Sequence, residues 1–208
     1  MSSRPLPEED EFYDDVSSAQ VPWMASLGGF KSEGNWDHQC GGSLVTSTHI
    51  LTAAHCVEFT KNNYIDGNQM RLGTADMSDS SKGLIRNIAD FILHPKYKQT
   101  RAYYDVAIAV ANIPIDFTNL IRPISLPLQP VDDEDAFEDL FVTLSGWGLE
   151  VGEQQYKPRS NFKLVTFAVN SREYCEDDIY GDEALKAAGI SAFKLRRQIP
   201  RGIKPISF

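Results

Sequence analysis

Apolar residues recur along the chain in short runs, some alternating with polar neighbours and some continuous: "VPWMASLG" (21–28), "GGSLVTSTHILT" (41–52), "QMRLGTA" (69–75), "LIRNIADFILH" (84–94), "DVAIAVA" (105–111), "DLFVTLSGWG" (139–148) and "FKLVTFAVN" (162–170). Turn-forming residues separate them. Short strands with such punctuation predict an all-β antiparallel barrel or sandwich rather than a parallel sheet with crossover helices. No internal repeat is visible. Between Asn112 and Pro130 the stretch "IRPISLPLQP" places prolines at 123, 127 and 130. Each removes a backbone donor and disfavours helix, so this segment reads as an extended connector between two lobes. The texture changes after Cys175. Helix formers fill "DEALKAAGISAFKLRRQ" (182–198), with Asp182 as N-cap and Leu185, Ala188, Ala192 and Leu195 near helical spacing. A C-terminal helix is expected there, with no strand pattern after it.

At 208 residues the chain suits one sizeable domain or one two-lobed β protein. The net charge of −9 and the pI near 4.9 oppose a nucleic-acid backbone or an anionic membrane surface as main partner. The charge is uneven. Residues 186–208 hold six basic side chains and no acid, leaving −15 on residues 1–185. The acidic runs "PEEDEFYDD" (7–15) and "DDEDAFED" (132–139) read as solvated loops, and the second lacks the glycine and ligand spacing of an EF-hand. No run approaches the ~20 apolar residues of a membrane-spanning helix. The start, "MSSRPLPEEDEFYDD", has no apolar core, so no secretory signal is expected in it. Three cysteines leave at least one without an intrachain partner.

The chemistry concentrates at "LTAAHC" (51–56). His38, Cys40, His49, His55 and Cys56 could be gathered as metal ligands, but none of their spacings is CxxC or HExxH. An ordinary core or surface histidine is the second reading of His55. Catalytic base is the third, and it requires an orienting carboxylate and a nucleophile. Asp105, at the mouth of the apolar run "VAIAVA", is a candidate carboxylate, since an unpaired charge there would be costly. A turn cap is an equally good account of an aspartate at a strand start.

Taken together, "CGGSLVTSTHILTAAHC", "ILHPKY", "YYDVAIAV", "IRPISLP" and "LSGWGLE" follow one another as do the sequence blocks of trypsin-like (chymotrypsin-fold, peptidase family S1) serine proteases. "VPWMASL" is similar to their first core strand. The resemblance runs from about Val21 to Cys175, and "TAAHC" with the upstream "CGGSL" is its most specific part. It implies a double antiparallel β-barrel, with a first barrel over about 21–128 and the start of a second over about 129–175. An acidic extension (1–20) and a divergent basic tail (176–208) would flank them. By resemblance His55 matches the general base, Asp105 the buried acid that orients it, and Cys40 and Cys56 a disulfide. The implied activity is serine-type endopeptidase action on a protein or peptide, with no cofactor or metal. The implied location is extracellular, although no signal peptide is visible.

The resemblance stops short of the nucleophile. In that family it lies in a "GDSGGP" stretch that also builds the oxyanion hole, and no such stretch occurs in these residues. After Trp147 the serines are Ser160, Ser171, Ser191 and Ser207, and none has a glycine-rich neighbourhood. "AGISAF" around Ser191 comes nearest. No arginine followed by "IVGG" marks an activation site, and Cys175 resembles a family cysteine whose partner lies further on. The second barrel is therefore expected to be incomplete and these residues inactive. Three accounts fit: an incomplete product of an active protease gene, a homologue that binds without cleaving, or a diverged enzyme using another serine.

Overall fold

The computed structural model describes residues 18–31, 34–61, 68–98, 104–127, 140–147, 162–169 and 195–196. Six strands close an antiparallel barrel: β1 (Met24–Phe30), β2 (Trp36–Leu44), β3 (His49–Thr52), β4 (Gln69–Leu72), β5 (Leu84–Leu93) and β6 (Ala107–Ala111), in the order β1-β2-β3-β6-β5-β4. β1 also pairs with β4, which closes the ring and leaves it no free edge. A second, three-stranded sheet runs β7 (Phe141–Gly146), β8 (Lys163–Val169), β9 (Leu195–Arg196). The all-β fold and its trypsin-like architecture are as the sequence predicts.

Alternation explains the barrel. In β6 every second residue, Ala107, Ala109 and Ala111, is buried, and the latter two join Leu27, Leu44, Ile50, Met70 and Leu72 in one core. Trp36 and Met77 form a second cluster with Trp147 and Phe162, which stand just after β7 and just before β8 of the other sheet. Trp147 Nε1–H donates to the Ala75 carbonyl at 2.7 Å, fastening that sheet to the barrel.

Two local expectations are revised. The run 41–52 is two strands, because residues 45–48 turn back, with the N–H groups of Val45 and Thr46 both donating to the His49 carbonyl. The helix expected over 182–198 lies outside the described residues except at Leu195–Arg196, where the chain is strand β9. Its two residues pair with Ala168 and Val169 of β8. Ladder hydrogen bonds offered by an existing strand outweigh a weak local helix propensity. A helix the patterning did not signal, α1 (Ala54–Lys61), follows β3 directly. Among the described residues no helix is long and apolar enough to cross a membrane.

Candidate active site

The site arises from strand register. β3 and β6 are antiparallel neighbours with Thr52 opposite Ala107. His55 lies three residues beyond the end of β3 and Asp105 two before the start of β6, so this pairing brings both to one end of the barrel. Ala54, Val57 and Ala107 are buried together, with Phe91, Leu93 and Tyr97 packed against them. The small side chains of Ala54 and Ala107 let α1 sit close to β6.

Asp105 makes two bonds to the same residue. Its Oδ1 accepts the backbone N–H of His55 at 2.8 Å, and its Oδ2 lies 2.7 Å from His55 Nδ1. The first bond satisfies a helix-start N–H that has no partner within α1, where the helix dipole also favours a carboxylate. One side chain thus caps the start of α1 and meets the His55 ring, rather than capping its own turn at the strand start. The second bond fixes the tautomer. A carboxylate only accepts, so Nδ1 carries the proton in the neutral ring and Nε2 keeps its lone pair. The His55 side chain is 43% exposed and that of Asp105 25%. The imidazole is therefore more open to solvent than the carboxylate beside it.

Cys40 and Cys56 form a disulfide that ties β2 to α1. Cys56 Sγ lies 3.5 Å from His55 Nε2. Cys40, Cys56 and His55 are close enough to hold an ion, with ligand atoms within 4.8 Å of one another. With the sulfurs bonded to each other, neither supplies the thiolate a metal would need. The remaining histidines of that group point elsewhere: His38 Nδ1 is 2.6 Å from the buried Ser26 hydroxyl, and His49 Nδ1 is within 2.9 Å of the Thr46 and Thr48 hydroxyls. Burial pushes the His38 imidazole down to about 4, against the opposing charge of Asp37. Ser160, Ser171, Ser191, Ser207 and Cys175 all lie outside the described residues.

Motif reading passed over Arg71. Its guanidinium is fully buried and donates to the carbonyls of Met77, Asp79 and Lys82, supporting the loop after β4 from beneath. Above it, the Lys82 ammonium lies 3.2 Å from Asp76 and 3.3 Å from Asp79. Hydrogen bonds from Ser78 and Ser81 and from Lys82 hold both carboxyls below their ordinary range.

The Trypsin family model matches residues 13–194, most of the chain and wider at both ends than the motif-bearing stretch. The chain belongs to the trypsin family. Among its relatives, trypsin from Phaedon cochleariae is 26% identical over 81% of this chain and 60% of its own length. Hypodermin-B from Hypoderma lineatum is 31% identical over 77% and 56%. Phenoloxidase-activating factor 1 from Holotrichia diomphalia is 34% identical over 65% and 40%. The chain thus spans no more than about three-fifths of these trypsin-family relatives. A solved structure described as "Structure of GrC" superposes with a TM-score of 0.62, over 81% of this chain and 69% of that one, at 23% identity, which supports the trypsin fold.

Proposed function

We propose that this chain carries the base and acid of a serine endopeptidase, with His55 as general base and Asp105 as the acid that orients it. The observation that carries this is the double contact of Asp105 with His55, through the backbone N–H and through Nδ1. With the proton held on Nδ1, Nε2 carries the lone pair that would take a proton from an attacking hydroxyl and return it to the leaving amine. Asp105 stabilises the imidazolium formed in between. The substrate class is a protein or peptide, consistent with membership of the trypsin family. A disulfide beside the base suits an oxidising, extracellular setting.

These 208 residues contain no "GDSGGP" segment, so by themselves they lack the nucleophile and its oxyanion hole. They are inactive on this reading. The experiment is to sequence the transcript beyond the codon for Asp178 and express what it encodes. If it runs into a "GDSGGP" segment, the encoded protein should cleave peptide esters, and His55→Ala should lower kcat by roughly 10⁵–10⁶-fold, the scale found for such triads. Full activity of His55→Ala would contradict the assignment. If no such segment is encoded, two accounts remain, a homologue that binds a protein partner without cleaving it and a diverged enzyme using another serine, and His55-dependent labelling of a serine decides between them.

A further inference from the structure

Tyr104 stands immediately before Asp105 and is the one non-glycine with positive φ, 54°, among the described residues. A bulky aromatic residue disfavours this left-handed conformation, so its surroundings must hold it there. Its carbonyl accepts the N–H of Val106 at 2.7 Å, closing a three-residue turn with Asp105 at its centre. The carbonyl of Val106 in turn accepts the N–H of His94 at 3.0 Å. The Tyr104 ring lies flat against the His94 ring, with centroids 4.8 Å apart and planes 3° from parallel. The Lys96 ammonium stands 5.5 Å from the centre of the same ring. His94 is itself anchored: its Nδ1 accepts the N–H of Lys96 at 3.1 Å and its carbonyl that of Tyr97 at 2.9 Å.

Residue 94 therefore grips the turn around Asp105 on both sides, by a backbone bond after it and a ring stack before it. Glycine or asparagine at 104 would adopt the same backbone with less strain. The ring is what a tyrosine adds. We propose that Tyr104, stacked on His94, is a positioning residue that fixes the turn of Asp105 so that its carboxylate reaches His55. Tyr104 acts through Asp105, and this inference rests on the base–acid reading above.

The readout is the Nδ1 proton of His55, followed by NMR in ring-¹⁵N-histidine-labelled chain, because hydrogen bonding to Asp105 moves it far downfield and slows its exchange. Asp105→Asn should abolish that signal. If it survives Asp105→Asn, the base–acid reading itself fails. Given its loss there, Tyr104→Phe should retain the signal. Tyr104→Leu, which keeps the strain and removes the stacking ring, and His94→Ala should lose it, with the dispersed amide resonances of the barrel unchanged. Retention in either folded variant would overturn the positioning role while leaving the base–acid pair standing. Should Tyr104→Leu fail to fold, His94→Ala decides, because it leaves residue 104 untouched.

Discussion

His38 ties the stability of the fold to pH. Its Nδ1 lies 2.6 Å from the Ser26 hydroxyl, which accepts from Trp36 Nε1–H at 2.8 Å, and the Trp147 ring lies 5.0 Å from the imidazole. A charged imidazolium would be poorly solvated in this place. The folded ring titrates near 4, against about 6.5 in the unfolded chain. Between these values the unfolded chain binds a proton that the folded one refuses. Stability from this group is therefore complete above pH 6.5 and falls as pH drops towards 4, by roughly 3 kcal/mol. Urea unfolding at a series of pH values should show that acid limb, and His38→Gln, which can still hydrogen-bond to Ser26, should flatten it. Asp76 adds a second loss at lower pH. Its carboxyl is depressed in the fold, so its contribution is present above its unfolded value and disappears as pH falls through the folded one.

At the scale of elements, the loop between β4 and β5 depends on Arg71. Arg71→Met would leave the carbonyls of Met77, Asp79 and Lys82 without their donor and should cost about 2–4 kcal/mol in chemical denaturation. Gly83, at φ +77°, ends this loop, and a Cβ there would lie 2.7 Å from the Leu72 carbonyl oxygen. Gly83→Ala should therefore lower Tm, where a glycine with negative φ and open space would tolerate the change. Legibility followed the same physical lines. Period-two runs such as "AIAVA" are strands because burial of alternate residues is a local property of the sequence. In "CGGS" the structure gives a packing reason for Gly42 that the sequence alone did not show: a Cβ there would come within 2.6 Å of Ile50 on β3. The contact of His55 with Asp105 was legible only by resemblance, since it depends on the Thr52–Ala107 register between distant strands. α1 gave no warning, because its capping acid comes from 50 residues away. Arg71 and Tyr104 were equally silent. A buried arginine and a left-handed tyrosine look like ordinary surface residues until tertiary partners are known.

For the whole molecule, the Cys40–Cys56 bridge closes a loop with a sequence separation of 16. On the chain-entropy account its reduction should destabilise the protein by about 3 kcal/mol, visible as a lower Tm in reductant. The second sheet carries a different liability. Among the described residues β7 pairs on one side only, with β8, and Leu140 and Phe141 are about half exposed there. An apolar edge of this kind favours association. Light scattering should rise with concentration, and Phe141→Lys should reduce it. On the proposed reading, a base and its orienting acid meet in a trypsin-family barrel among residues that lack the nucleophile they would serve. The most direct test is to treat the purified chain with a fluorophosphonate probe and map any adduct by mass spectrometry. No serine should be labelled, with or without His55→Ala. Labelling of Ser191 or another serine of this chain that disappears in His55→Ala would contradict that reading, because a working nucleophile would then already be present.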